Sequence, residues 1–349
     1  MIPITGDLKP PSLLTMQMSG ELRGYVEIRP EHGQPACFVA LLAGIKPVMD
    51  DWVGQDRFDD LVDVCRQRGL TVAADVQFEA LADQGRLGGV VGRETLTTTR
   101  AVGHALADRV AGASVHVFIG ADRGIVERTR AAGWYPLIIG GRAMNKPWID
   151  HLWFGDGLGY PRCCLDAFAR NNNWTLNNMP YQACRSVRSE PSFLCNSLMR
   201  FSGLTWAAHL PCRYDCEVTI ELAGRVREEM RRHCPELAAW IDRLCTAPYL
   251  VLNEWEAFAF SGAKATGTAI DYSGVTLAPS NRPNLGLFAA LRRGRRLEIR
   301  DDLIVIFGQD EAVIHVERTA TDTFAPRIAC AVSFRATPTS RCGAGGAFA

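Results

Sequence analysis

Lysine is nearly missing from this chain: Lys9, Lys46, Lys146 and Lys264 are its only lysines. Arginine supplies the rest of the positive charge, as coding from a GC-rich genome would produce. Lys+Arg and Asp+Glu stand level at 38 each, so the formal net charge is zero. That balance argues against nucleic acid as a partner, because dedicated binders carry a broad basic excess. No run of about 18 apolar residues occurs, and no transmembrane helix is expected. The opening MIPITGDLKPPSLL has no charged segment followed by an apolar one, which argues against a secretory leader. The expected compartment is therefore the reducing cytoplasm. There, clustered cysteines are more often metal ligands or catalytic thiols than disulfides.

What the chain does have is apolar content and cysteine. At 349 residues and 47% hydrophobic, it can build an extensive core, and its length suggests two domains. The hydrophobic pattern predicts a mixed α/β (α+β) fold. Residues 1–20 read as a flexible lead-in, with Pro10 and Pro11 as breakers. Residues 21–145 read as a small α/β domain. Within it, strand-like runs fall at Gly24–Ile28, Cys37–Leu42, Leu70–Ala74, Ser114–Ile119 and Tyr135–Ile139. Helices are expected at Asp56–Arg68, Thr95–Ala111 and Asp122–Ala132. The β-α-β alternation suggests a parallel sheet. Residues 146–248 read as a helical region with irregular loops, among them Asn171–Asn178. Its clearest helices are Glu217–His233 and Pro235–Cys245. Residues 249–335 alternate β-like runs around one short helix at Pro283–Leu291, and the 336–349 tail reads as disordered.

Six of the twelve cysteines (Cys163, Cys164, Cys184, Cys195, Cys212 and Cys216) fall between positions 163 and 216. An even spread would put about two there, so the excess calls for a reason. Cys163 and Cys164 follow Gly159-Tyr160-Pro161-Arg162. Pro161 suits a helix start, which sets both thiols in a first turn. Cys212 and Cys216 belong to His209-Leu210-Pro211-Cys212-Arg213-Tyr214-Asp215-Cys216. Asp215 is a suitable N-cap for the helix that follows. Thiols at helix N-termini have lowered pKa values, and Arg162 and Arg213 would lower them further. The spacing is not the C-x₂-C pairing usual in structural zinc sites. A metal site, a reactive thiol and buried apolar cysteines all stay open. Cys37, Cys65, Cys234, Cys245 and Cys330 lie in apolar or helical contexts and read as packing residues, while Cys342 lies in the tail.

The pair GYPRCC and HLPCRYDC resembles the GYP-x-CC and H-x-PC-x₃-C signatures of a prokaryotic family known as domain of unknown function 483. The resemblance covers about residues 130–235. It implies that Gly159, Tyr160, Pro161, Cys163, Cys164, His209, Pro211, Cys212 and Cys216 act as a unit, and it names no reaction. Arg213 departs from the pattern, standing where a small residue such as Ser is expected.

The favoured reading is a cysteine-ligated iron–sulfur or metal-dependent enzyme acting on a small-molecule substrate, in redox or sulfur-transfer chemistry. Cys164, Cys212 and Cys216 are the first-choice ligands, with Cys163 or Cys195 as the fourth and His209 as a proton donor or supporting residue. One rival is a metal-free thiol enzyme with Cys212 or Cys164 as nucleophile and His209 as its base. The other is a non-enzymatic module with structural zinc. Each segment alone offers at most two thiols, whereas a tetrahedral ion or a cluster wants three or four. The two segments should therefore meet, with the sulfurs of Cys164, Cys212 and Cys216 within about 4–7 Å of one another.

Weaker candidates are His151, near the first cysteine motif, and Gly140-Gly141-Arg142, a turn that could hold an anion but lacks a P-loop or G-x-G-x-x-G pattern. Glu254-Trp255-Glu256 pairs two carboxylates that can equally face solvent. Asp271–Gly274 reads as a turn. The basic run Arg292, Arg293, Arg295 and Arg296 reads as a solvated hairpin.

If the cysteines work in a reducing compartment, protein alkylated directly in cell lysate should show free or metal-bound thiols by mass spectrometry. Several stoichiometric disulfides would contradict this.

Overall fold

The computed structural model of the chain describes residues 5–8, 11–30, 33–80, 99–103, 114–134, 138–139, 142–143, 148–171, 179–252, 256–266, 269–278, 284–300, 303–308, 313–317 and 330–335. The Asn-rich loop apart from Asn171, Gly140-Gly141, Glu254-Trp255 and the 336–349 tail lie outside them. The fold is mixed α+β, with helices set among antiparallel sheets. Among the described residues the helices are α1 (Gly20–Ile28), α2 (Pro35–Leu42), α3 (Phe58–Arg66), α4 (Arg123–Arg130), α5 (His151–Gly157), α6 (Arg162–Asn171), α7 (Met179–Arg185), α8 (Glu217–His233), α9 (Pro235–Thr246) and α10 (Leu285–Arg293).

Two expected strands are helices. The run from Cys37 to Leu42 belongs to α2, and Gly24–Ile28 belongs to α1. In α2 every residue from Pro35 to Leu41 is buried, so no polar face exists to reveal the helical period. Pro35 opens the helix at its first turn, where its missing N–H does no harm. In α1, Gly24, expected to open a strand, stands inside a helix whose N-cap, Ser19, accepts from the Leu22 amide.

The N-terminal sheet runs in the order Val48–Gly54, Ser114–Gly120, Thr71–Ala80, Thr99–Gly103, with every neighbouring pair antiparallel. The expected parallel sheet is thus corrected. A β-α-β unit is present, but it opens on Val48–Gly54, a strand not among those expected from the sequence. Val48–Gly54 and Thr71–Ala80 are both antiparallel to Ser114–Gly120, hence parallel to each other, and α3 connects them. The later strand has been inserted between them, a split β-α-β arrangement. Thr99–Gly103 is a strand where a helix was expected, and the rest of that expected helix lies outside the described residues.

The expected loose lead-in is also corrected in its described part. Thr5–Gly6 pairs with Gly274–Leu277 as the edge of a second sheet, whose order continues through Ala257–Ser261, Tyr249–Val251 and Cys330–Val332. Leu13 and Met16 are buried in the main core. A third sheet runs Lys264–Thr266, Ala269–Asp271, Arg296–Arg300, Leu303–Phe307, Val313–Glu317. Ala269–Asp271 and Gly274–Leu277 are separated at Tyr272-Ser273, inside the expected turn Asp271–Gly274, and feed two sheets.

The main core draws on α1, α2, α3, α8 and α9 together with the irregular stretch from Phe193 to Cys216. That stretch is fixed by polar anchors. Buried Asn196 donates from Nδ2 to the Cys245 carbonyl, 2.9 Å, and accepts from the Leu198 amide, 3.0 Å. Asp242 on α9 receives the Arg227 guanidinium through both oxygens, at 2.7 and 2.6 Å, and the Trp206 indole N–H at 3.0 Å. Such two-pronged pairing fixes geometry as well as lending energy. It holds the chain just ahead of His209 against the α8–α9 pair.

Cys65 and Cys245 sit in this core, 0% and 1% exposed, and burial pushes each thiol up to about 12. Cys65→Ala or Cys245→Ala should lower stability by about 1–3 kcal/mol in urea unfolding, through loss of packing. Either variant should leave metal content unchanged, and metal loss in either would locate the site wrongly.

Candidate metal centre

The first motif is a helix stop joined to a helix start. After α5, the Gly159 amide donates to the Asp156 carbonyl, 2.9 Å, and the Tyr160 amide donates to the Gly155 carbonyl, 2.9 Å. This is the Schellman pattern, which needs a left-handed residue just past the helix. Gly159 supplies it with φ +73°, and a Cβ there would stand 2.6 Å from Pro47 Cδ. Pro161 follows, and its carbonyl accepts from the Cys164 and Leu165 amides to begin α6. GYP is thus the punctuation that sets Cys163 and Cys164 into the first turn of α6.

Tyr160 is held from behind. Buried Lys46 donates from Nζ to the Leu158 carbonyl, and the ammonium lies 4.8 Å from the Tyr160 ring centre. A buried cation needs such partners to offset its desolvation.

The second motif ends at α8, whose N-cap is Cys216 and not Asp215. The Asp215 carboxylate instead accepts from the Arg188 amide at 2.9 Å, the Ser189 amide at 2.9 Å and the Ser189 hydroxyl at 3.0 Å. It also faces Arg213 across 3.0 Å. Arg162 pairs with Asp166 at 2.9 Å. Both arginines expected to lower the thiol pKa values are thus matched by acids.

The two segments meet. One ligand atom from each of Cys163, Cys164, Cys212 and Cys216 lies within 4.8 Å of the others, and together they could hold a metal ion. The sulfurs of Cys163 and Cys216 are 3.7 Å apart, those of Cys164 and Cys216 3.8 Å, and those of Cys163 and Cys164 3.9 Å. Cys164 and Cys216 are buried, Cys212 is half-buried and Cys163 is exposed. Cys195 stands apart from the quartet: its buried thiol donates to the Cys216 carbonyl at 3.6 Å.

Cys164, Cys212 and Cys216 differ electrostatically. Hydrogen bonds from Cys164 and Cys212 hold the Cys216 thiol well below the ordinary thiol value. The same contacts with Cys212 and Cys216, with burial added, push Cys164 well above it. Cys212 is pushed up to about 11; its contact with Cys164 pulls down, but its contact with Cys216 and burial outweigh that. One thiolate can therefore sit in the set unaided, while a second thiolate beside it is opposed.

His209 is buried, and its Nε2 lies 2.9 Å from Thr219 Oγ1. Burial, helped by nearby Lys46, holds its imidazole down to about 3. A neutral ring engaged with Thr219 is poorly suited to serve Cys212 or Cys164 as a base. Thr219 Oγ1 in turn lies 3.4 Å from Cys164 Sγ. His209 thus bears on the sulfurs through Thr219, a residue the motif reading missed. The available signal was its place on α8, one turn past Cys216.

Beside the sulfurs lies a cavity of about 200 Å³, with Cys164, His209, Tyr160, Phe168, Arg200 and His151 among its lining. His151, a weak candidate by sequence, packs its ring edgewise on Phe168 at 5.1 Å. Among the described residues, the basic run near α10 does not join the site. Arg296 is matched by Asp271 and Glu298, each at 3.0 Å, and Arg292 and Arg293 close the last turn of α10, where cations suit the helix dipole. No helix among the described residues is long and apolar enough to cross a membrane. No family model, curated protein or solved structure matches the chain.

Thiolate is the ligand form, so metal uptake must displace the protons of Cys164 and Cys212. Both thiols are raised, so both are protonated at neutral pH and affinity must rise with pH. Zinc affinity measured against a chelator should climb by at least about 100-fold per unit between about pH 6 and 8, tenfold for each proton displaced. A pH-independent affinity would contradict this assignment.

Proposed function

We propose that this chain is a metal-dependent enzyme for a small molecule, with one ion held as a tetrahedral thiolate site by Cys163, Cys164, Cys212 and Cys216. The sulfur spacing carries this reading. At a metal–sulfur bond of about 2.3 Å, tetrahedral ligands stand about 3.8 Å apart. Three of the sulfur pairs here are at 3.7, 3.8 and 3.9 Å. A four-thiolate tetrahedron suits zinc, and iron is the alternative ion. Cys163, Cys164 and Cys216 come from helix starts, whose positive ends favour an anionic thiolate centre.

The adjoining cavity and the exposure of Cys163 support the catalytic part. Structural zinc sites are closed, whereas catalytic ones offer substrate a position on the metal. Cys163 is the ligand with room to leave, which would open that position to a substrate entering beside Cys164. An ion bound there would supply Lewis-acid polarisation. His209 and Thr219 would orient Cys164, the usual task of residues behind a metal ligand. The resemblance to domain of unknown function 483 supports reading GYP-x-CC and H-x-PC-x₃-C as parts of one site.

A second reading keeps the four cysteines but places an iron–sulfur cluster on them, for redox or sulfur-transfer chemistry. The exposure of Cys163 favours it, since that side chain can swing outward to admit a larger group. A cubane spreads its ligand sulfurs over four irons, which the short spacing disfavours.

Protein purified without oxygen should be colourless, with about one zinc per chain, and Cys212→Ser or Cys216→Ser should lose most of it. A brown protein with acid-labile sulfide would replace the single ion by the cluster. Metal-free protein would overturn both readings.

A further inference from the structure

The cavity beside the sulfurs is walled mainly by hydrocarbon. Phe154, Leu165, Phe168 and Leu210 line it together with Tyr160 and His151. Phe154, Phe168 and Leu210 are half-buried, so part of this wall still meets solvent. A ligand that covers it gains the hydrophobic contribution of that surface. At about 200 Å³ the space is smaller than the roughly 300–1,000 Å³ of sites for drug-sized ligands. An apolar cavity of about 150 Å³ suffices for benzene. The size therefore fits one six-membered ring with one short substituent.

The rings in the wall are braced by their neighbours. Phe154 stands edge-on to buried Phe118, with ring centres 5.9 Å apart. The His151 ring meets Phe168 edge-on at 5.1 Å, and the Tyr160 ring lies 5.2 Å from that of His209. Rings held in this way accept a flat aromatic body by offset or edge-to-face contact.

The wall offers an ion little to pair with. Among the described residues, no Asp, Glu or Lys lines the cavity. Arg200 is in the lining but already engaged, its guanidinium 4.2 Å from the Phe201 ring centre. His209 holds its Nε2 against Thr219, and burial keeps the His151 imidazole below its ordinary value. A charged ligand would give up its hydration here at a cost far above that of a neutral one.

We infer that the cavity binds a small uncharged aromatic molecule, its ring packed among Phe154, Tyr160 and Phe168 and its substituent beside Cys164. The inference rests on the proposed small-molecule site and names its substrate class. The substituent is then the reacting group, because Cys164 is where the lining meets the thiolate centre.

Benzyl alcohol, cyclohexylmethanol, benzoate and benzylamine share one size and separate ring from charge. Ligand-observed NMR at neutral pH, on the anaerobically purified full chain with its zinc content measured, should show saturable binding of benzyl alcohol. Benzoate and benzylamine should bind at least about tenfold more weakly, because each brings a full charge to an apolar wall. Cyclohexylmethanol should bind about two- to tenfold more weakly, the margin of aromatic contact over equal apolar area. Phe168→Ala should weaken benzyl alcohol by about threefold or more and narrow its margin over cyclohexylmethanol. Ala208→Leu, which extends a lining side chain into the space, should abolish saturable binding. If either variant is misfolded by circular dichroism, the wild-type ranking decides. That ranking in protein that holds no zinc would retire the metal reading and leave this one standing. Zinc-bound protein with no saturable benzyl alcohol site, or with any of the other three probes bound as tightly, would overturn this inference alone. Metal-free protein without the ranking would overturn both.

Discussion

Four cysteine sulfurs crowded within 4.8 Å form an arrangement that could hold a metal ion. As thiols they are weakly bonded neighbours. As thiolates each close pair repels by about 4 kcal/mol at an effective dielectric constant of about 20. The protein alone relieves this by letting one sulfur, Cys216, hold the charge while Cys164 and Cys212 keep their protons. A divalent ion would remove the conflict for all four. Much of the surrounding structure fixes the two segments that create this crowding. The Schellman turn at Gly159 and the start of α6 set one, and the start of α8 together with the anchors at Asn196, Asp215 and Asp242 sets the other.

The site was more legible in the sequence than the fold around it. Proline and glycine act locally, so GYPRCC could be read as a helix start without knowing what packs on it. The excess of cysteines announced a shared role for segments some 50 residues apart. The choice between Cys163 and Cys195 for the fourth position was not legible. Both lie at plausible distances along the chain, and only tertiary packing turns the Cys195 thiol onto the Cys216 carbonyl. Asp215 misled for a related reason. A good capping residue was available, but the loop at Arg188-Ser189 offered it three donors and took it first.

The errors in the fold share a cause. Helix α2 is buried on every side, so its sequence carries apolar content without a period. In the N-terminal part, α3 and the strand after it were read along the chain, but the strand before it, Val48–Gly54, was not. Insertion of Ser114–Gly120 between the two parallel strands depends on long-range pairing that no local pattern records. The strand Thr5–Gly6, paired some 270 residues away with Gly274–Leu277, was hidden in the same manner. Glu217–His233 was legible to the residue, because α8 keeps a polar face and an apolar one.

The most direct test of the account is X-ray absorption at the metal edge of the anaerobically purified protein. A single ion on Cys163, Cys164, Cys212 and Cys216 predicts one shell of four sulfurs at about 2.3 Å with no metal neighbour. A second metal atom in the scattering, or a shell dominated by nitrogen or oxygen, would contradict it.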